Sequence, residues 1–347
     1  KFLTKTYNVY IMDAAKTNQK EESKKYIENL NDNNITVYSP YINKYGFMRG
    51  KKYFLKKLIP KLDFVWLHRP EVFSDYVDFF RDNAPHAKII YDMVDIHYLR
   101  MERGLQIKYD KNRAKEAVHF KYIETELCKK ADKIAVISEQ EKEFMKAFVD
   151  ENKLFTISNV HNLKVKLEEM PPFEKRNGIF FIGSFFHDPN VDAVEILYHQ
   201  IMPLVWRKLP HLKVTIIGPE APEALLKMNS DQFEVVGYVE NIIPYYEKCF
   251  ASISPLRFGA GVKGKIGQAL EYTLPVVTTE IGAEGMFLEN GITALIARNE
   301  DDQQFADHIV AVCTNKEVWN TLHNNSERAI YPFSIETQKD ELLRLLS

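Results

Sequence analysis

The sequence predicts an α/β fold of two doubly wound parallel sheets, and three observations carry that prediction. Short β-branched or aromatic runs alternate with longer amphipathic stretches, several of those runs are apolar throughout as doubly buried strands must be, and one proline-containing charged stretch interrupts the alternation. At 347 residues a chain divides into two cores by default, because single cores stop growing at roughly 250 to 300 residues.

In the first half, strands are expected at Asn8 to Asp13, Ile35 to Ser39, Phe64 to His68, Lys88 to Asp92, Lys133 to Ser138 and Leu154 to Ser158. Apolar residues at three-to-four spacing predict helices over Thr17 to Leu30 and Arg113 to Lys130. The connector LKVKLEEMPPFEKRNG, Leu163 to Gly178, has adjacent prolines and neither strand nor helix period, which divides the chain into domains 1–170 and 171–334. The alternation restarts with strands Ile179 to Gly183, Lys213 to Gly218, Phe233 to Val236, Ala251 to Pro255, Pro275 to Thr279 and Thr293 to Ala297. Helices are expected at Val191 to Lys208, Ile242 to Lys248, Val262 to Tyr272 and Asp302 to Cys313. The amphipathic end, 335–347, is expected to pack back on the first domain.

Composition excludes several classes. Hydrophobic residues make up 45% and charged residues 27%, and no apolar run approaches the roughly 18 residues that cross a bilayer. A formal charge of -2 supplies no basic field for nucleic acid. The three cysteines, Cys128, Cys249 and Cys313, are scattered and odd in number, which fits neither a disulfide framework nor a Cys-x-x-Cys metal site. With no secretory pattern after Lys1, a cytoplasmic location is expected. No His/Cys/Asp cluster has metal-ligand spacing, so no catalytic metal is expected.

The most informative stretch is PLRFGAGVKGKIGQALEYTLP, Pro255 to Pro275, in which a strand runs through a glycine-rich turn directly into a helix. The amides of Gly259, Ala260, Gly261 and Val262 approach an anion without side-chain obstruction, the helix adds its positive end, and Lys263 and Lys265 add full charges. The competing reading is a tight turn with two solvated lysines. A second junction, FFIGSFFHDPNVDAV from Phe180 to Val194, offers the amides of Gly183 and Ser184 and the side chain of His187, while Asp188 or Asn190 reads equally as a helix cap.

These stretches resemble the donor half of the retaining nucleotide-sugar glycosyltransferases of the GT-B fold, family four. The resemblance rests on Gly183, Ser184, His187, Pro189 and Asn190, then on Gly259, Gly261, Lys263, Gly264, Lys265, Ala269, Leu270, Pro275, Val276 and Val277, and on Gly282-Ala283-Glu284-Gly285. In the first half YDMVDIHYLRMERG, Tyr91 to Gly104, and Ala131-Asp132 with Val136-Ile137-Ser138 are similar to family segments. The sequence departs from the family's pattern where Ala260 and Gln268 replace a pair of glutamates, the second of which grips the donor ribose, and where Thr273-Leu274 replaces a turn glycine.

The resemblance implies two Rossmann-like domains facing a cleft, sugar transfer with retained configuration, and no cofactor besides the donor substrate. It implies donor contacts from Gly183, Ser184, His187, Gly259, Gly261, Val262, Lys263, Lys265, Gln268, Glu284 and Gly285, with Gly237 and Tyr238 near the base. Lys263, with His97 and Asp95 from the first domain, would serve the reaction, and Arg69 and Arg100 would meet the acceptor, a glycan or a lipid-linked sugar. For His97 the plainer account is a loop histidine satisfied by its neighbours, for Arg69 a structural salt bridge, and for Glu284 a capped helix start.

Lys44 to Leu62, KYGFMRGKKYFLKKLIPKL, interleaves seven basic residues with aromatics and leucines, which suits anionic headgroups at a membrane surface or a solvated helix face. Two other classes compete with the transferase: a catalytically silent module of the same fold, motivated by Ala260 and Gln268, and a dinucleotide dehydrogenase, a poor fit because no G-x-G-x-x-G follows the first strand of either domain.

Overall fold

The computed structural model describes residues 2–12, 24–38 and 41–347. It forms two compact units, Lys1–Ile90 and Tyr91–Ser347.

In the first unit β1 (Val9–Met12) and β2 (Ile35–Tyr38) pair in parallel, and β3 (Tyr41–Ile42) and β4 (Met48–Arg49) form a short antiparallel hairpin. The helix Lys51–Leu58 follows, and Phe54 stacks on Tyr38 at 4.1 Å between ring centroids. Then come β5 (Phe64–His68), the helix Pro70–Asn83 and β6 (Lys88–Asp92), within which the first unit ends, with Phe73, Val77 and Ile89 fully buried. Asp13 and the expected helix from Thr17 to Ser23 lie outside the described residues, as does Ser39; the helix is present over Lys24–Asp32.

The second unit opens with the helices His97–Ile107 and Lys111–Thr125, the latter capped by Asp110, whose carboxylate accepts from the amides of Asn112 and Arg113 at 2.9 Å each. A short 3-10 turn, Leu127–Lys130, replaces the expected last turn of that helix. Next, β7 (Lys133–Val136) and β8 (Leu154–Thr156) pair in parallel. The final helix, Ile335–Leu345, returns to them: Gln338 Oε1 accepts from the Ser158 amide at 2.9 Å and Lys133 Nζ donates to the Arg344 carbonyl at 3.1 Å.

The rest is one parallel sheet of β9 (Ile179–Ile182), β10 (Val214–Ile217), β11 (Phe233–Gly237), β12 (Ala251–Ser254), β13 (Val276–Thr279) and β14 (Leu295–Ala297), ordered β11-β10-β9-β12-β13-β14. Strand order reverses between β9 and β12, and such a switch point opens a crevice beyond the carboxyl ends of those strands. The apolar runs explain the strands: Ile179 and Phe181 enter one core with Val214, Ile216 and Ile253, and the intervening Phe180 enters another with Ile217 and Val276.

The connector is strapped down. Arg176 is buried, donating to the carbonyls of Pro171 (2.8 Å), Tyr246 (2.6 Å) and Cys249 (3.1 Å) while its guanidinium lies over Trp319. The single helix expected from Val191 to Lys208 is instead two, Asp188–Ile196 and Met202–Lys208, joined by a π-turn over Leu197–Ile201. Pro203 explains the widened turn, because it has no amide to give the ladder and its ring crowds the carbonyl one turn earlier.

Candidate functional site

Three neighbouring strands end in glycine at the switch-point side of the sheet. The Gly183 amide donates to the Ile217 carbonyl at 2.9 Å and the Gly218 amide to the Gly237 carbonyl at 2.8 Å. A Cβ at Gly218 would lie 1.8 Å from the Gly183 carbonyl oxygen, and one at Gly183 would lie 2.7 Å from Asn190 Cγ, so backbone at the first position and a buried side chain at the second leave no room for a Cβ. Gly218 is not among the residues the sequence singles out. Tyr238, next to Gly237, is 70% exposed at this edge.

Asn190 is not the helix cap. His187 occupies the N-cap position of Asp188–Ile196 with its side chain exposed, and Asn190, in the first turn, is buried. Its Nδ2 donates to the Ser184 carbonyl at 2.7 Å and its Oδ1 accepts from Lys265 Nζ at 2.6 Å. Lys265 Nζ also sits 4.0 Å from the centroid of the Phe181 ring.

Lys263 precedes the helix Gly264–Glu271 and is only 8% exposed; its Nζ donates to the carbonyls of Gly261 (2.6 Å) and Ala260 (3.3 Å). Among the described residues, then, both ammoniums are held by uncharged oxygens. Burial pushes Lys263 down to about 8 against the partial support of Glu284 and Glu141, and burial beside Lys263 pushes Lys265 down to about 7. Gly261 has a left-handed φ of +66°, and a Cβ there would meet Asp95 Cβ at 2.9 Å and Ile137 Cγ2 at 3.3 Å. A Cβ on Gly285, φ +75°, would meet Ser138 Cβ at 3.1 Å. The glycine loop and the GAEG loop thus touch the segments after β6 and β7, forming a seam.

On the other side of the seam carboxylates are buried. Val94 takes a left-handed φ of +67°, rare for a β-branched residue, and turns the chain into Asp95. Asp95 pairs with Arg100, and its Oδ1 lies 3.1 Å from His97 Nδ1. Glu124, fully buried, accepts from the amides of His97 (2.8 Å) and Tyr98 (3.0 Å), capping the helix His97–Ile107 from a distant part of the chain. Burial opposes charge on His97, but the hydrogen bond to Glu124 and the field of Asp95 outweigh it and raise its pKa. Glu141 accepts from the Ile96 amide at 3.2 Å, its other oxygen is buried without a hydrogen bond, and burial beside Asp95 pushes it up to about 8.

Arginines span the two sides: Arg113 Nη2 lies 2.6 Å from Asp188 Oδ2, and Arg103 ties the glycine and GAEG loops. Arg103 Nη1 donates to the Gly259 carbonyl (2.6 Å) and to Glu284 Oε2 (2.7 Å), and Nη2 donates to Glu284 Oε1 (3.0 Å). Burial works against charge on Glu284, but Arg103 and then Lys263 hold its pKa below the usual carboxylate value. Beside this clasp a cavity of about 180 Å³ is lined by Arg100, Met101, Gly104, Arg113, His187 and Phe258 among others.

The structure therefore gathers Asp95, His97, Arg100, Gly183, Ser184, Gly259, Gly261, Val262, Lys263, Lys265, Glu284 and Gly285 around the seam and the adjoining strand ends. Gln268 is exposed on the helix Gly264–Glu271. Glu271 is turned away: its Oε1 lies 3.0 Å from His161 Nδ1, and the His161 ring packs so closely on Gly267 that a Cβ there would lie 2.3 Å from Nε2. Arg69 belongs to the first unit, exposed at the start of Pro70–Asn83 with a left-handed φ of +79°. In the basic stretch Lys44 to Leu62, Tyr45 and Phe47 are exposed. Among the described residues no group of three or more His, Cys, Asp or Glu is placed to hold a metal ion, and no helix is long and apolar enough to cross a membrane.

Residues 176–315 match the family model described as glycosyl transferases group 1. Among curated proteins, a 44.6 kDa protein of the cps region of Klebsiella pneumoniae is 27% identical over 212 residues, which cover 58% of this chain and 52% of that protein. The chain thus spans about half the length of this curated relative. Among solved structures, a point variant of S. aureus TarM, in complex with Fondaparinux, alpha-GlcNAc-glycerol and UDP, superimposes with a TM-score of 0.66 at 21% identity over 85% of this chain and 58% of that one. Anabaena HepE in complex with UDP and glucose gives 0.67 at 13% identity, over 98% of this chain and 99% of that one. At these identities the likeness is one of fold.

Proposed function

With residues 176–315 matching glycosyl transferases group 1 and the frame a GT-B fold of two Rossmann-like domains, we propose that this chain moves a hexosyl or deoxyhexosyl group from a nucleoside-diphosphate sugar to a glycan or lipid-linked acceptor. The observation that carries the reading is the pair of ammoniums, Lys263 and Lys265, withdrawn from water onto uncharged oxygens beside glycine backbones at the switch point. Two desolvated cations with no carboxylate in direct contact are unfavourable, and a diphosphate offsets that penalty by restoring their charge.

In this reading Gly183, Ser184 and the start of Gly264–Glu271 cradle the phosphates with His187, and Tyr238 at the edge of the strand ends presents a ring to the base. UDP is carried by both TarM and HepE structures, which makes uridine the first base to test. As the sugar departs, charge grows on the diphosphate, and preorganised Lys263 and Lys265 stabilise that charge without reorganising, a contribution of several kcal/mol in such sites. Retention of configuration, with the leaving diphosphate taking the acceptor proton, is part of the proposal and needs no protein nucleophile. His97, clamped by Asp95 and Glu124, orders the loop that faces the sugar, and Arg100 and Arg113 in the neighbouring cavity face the acceptor. No cofactor besides the donor is assigned. The relative's place in a cps region supports a role in surface polysaccharide synthesis. Work on the cytoplasmic face of a membrane, met through Lys44 to Leu62, fits that role.

The test is thermal stability and calorimetry with UDP, GDP and dTDP. A nucleotide at a hundred times its Kd adds about 2.7 kcal/mol of apparent stability. Absence of any such shift with all three would end the reading. A second reading, a silent binding module, is favoured by Ala260, by the exposure of Gln268 and by the engagement of Glu271 with His161, which leaves no carboxylate on that helix face to take the ribose. Turnover of a bound nucleotide sugar, by transfer or hydrolysis, eliminates it.

A further inference from the structure

Four carboxylates stand along the seam, and they differ in what is left for a ligand. Glu124 has no exposed surface and commits both oxygens to backbone amides. Asp95, at 11%, is engaged by Arg100 and His97. Glu141 is buried behind the Ile96 amide. Glu284 alone of the four keeps 29% of its side chain exposed, and Arg103 takes only two of the roughly four acceptor positions of an ionised carboxylate.

The same guanidinium atom that binds Glu284 also holds the carbonyl of Gly259. That contact fixes the carboxylate beside the glycine loop in which Lys263 would meet the diphosphate. A two-pronged Arg-carboxylate pair constrains orientation as well as distance. A half-exposed anion, rigidly aimed and flanked by the phosphate site, is suited to accept hydrogen bonds from hydroxyl groups and unsuited to a second anion.

We propose that Glu284 is the residue that selects the donor sugar, that Arg103 is its positioning residue, and that the pair restricts the donor to neutral, hydroxyl-bearing sugars, excluding uronates. This rests on the glycosyltransferase reading above. It assigns to the GAEG loop a carboxylate function that position 260, an alanine, does not supply.

The experiment compares UDP, UDP-glucose and UDP-glucuronate, with GDP and GDP-mannose as a parallel arm, by calorimetry on the wild type, Glu284→Ala, Glu284→Gln and Arg103→Lys. The wild type is expected to bind UDP-glucose at least tenfold more tightly than UDP-glucuronate. Glu284→Ala should leave UDP within about threefold and weaken UDP-glucose by tenfold or more. With Arg103 then uncompensated, the preference between glucose and glucuronate conjugates should shrink or reverse. Glu284→Gln should fall between, and Arg103→Lys should lose the sugar-dependent increment while UDP still binds. If only the GDP arm binds, the same split is expected between GDP and GDP-mannose. Equal weakening of diphosphate and sugar conjugate in Glu284→Ala, or equal wild-type binding of glucose and glucuronate conjugates, overturns the inference while leaving the function standing. Failure of the wild type to bind any of the nucleotides removes the function itself.

Discussion

The two sides of the seam bury charge in opposite ways. On the glycine-loop side Lys263 and Lys265 rest on carbonyl and amide oxygens, and both are pushed well below the usual lysine value. On the other side Glu124 and Asp95 are buried with donors in place: backbone amides for Glu124, and Arg100 and His97 for Asp95. A buried charge with donors in place has its desolvation offset and is costly to disturb, whereas one held only by dipoles keeps a desolvation penalty that an anionic ligand would relieve. Under the proposed function, this difference puts the anion on the glycine-loop side and makes the carboxylate side its scaffold.

That contrast breaks most visibly at Glu124. Glu124→Ala strands two amides at the start of His97–Ile107 and is expected to cost about 3 kcal/mol of stability by denaturant unfolding. A loss under about 1 kcal/mol would remove the scaffold role. Next in size, Lys263→Ala should weaken nucleoside-diphosphate binding by at least about 1.5 kcal/mol, with the unliganded protein no less stable, since a desolvated cation is lost. A drop in stability without a drop in affinity would reverse the assignment of the two sides.

The pH dependence sharpens the comparison. With free-state values of about 8 and about 7, Lys263 and Lys265 must take up protons to hold a diphosphate. Affinity should therefore fall as pH rises through 7 to 9, by up to tenfold per unit for each proton taken up. The unliganded protein should move the other way. Where the folded values lie below the unfolded lysine value of about 10.4, the unfolded chain binds more protons, so these groups make stability rise with pH across that window. Calorimetry and unfolding at matched pH values separate the two slopes.

The smallest effect lies at the far end of the helix that Lys263 begins. Thr273 has a left-handed φ of +54°, is fully buried, and its hydroxyl has no hydrogen-bond partner. Thr273→Gly is expected to stabilise by about 0.5 to 1 kcal/mol, with Thr273→Ala gaining less because the strain stays. Chemical denaturation of both variants checks the order.

The second-half fold is legible in the sequence because its strands are short, largely apolar runs, four of the six closed by glycine or proline, a local signal. The glycine loop is legible for the same reason, each of its residues being a neighbour of the next. What escapes such a reading is non-local. The helix His97–Ile107 is capped by Glu124, which no sequence window contains, and the burial of Glu141 depends on the Ile96 amide 45 positions away. Arg103 has a weak signal, three residues after Arg100 on one helix face, but its partner lies 181 positions on. Gly218 is readable in principle, as a glycine ending a strand, and only its contact with Gly183 shows what it is for. Pro203 marks the π-turn in a segment whose period makes it look continuous.

The chain passes twice between the sheet containing β7 and β8 and the sheet running from β9 to β14, once after β8 and once before the last helix. The His161 amide donates to the Phe333 carbonyl at 2.9 Å, which ties the two passages side by side into a single flexure. Any opening of the seam would bend the chain at that tie, and His161, wedged on Gly267, joins the tie to the helix that follows the glycine loop. The two crossings and the glycine loop are thereby joined through one helix.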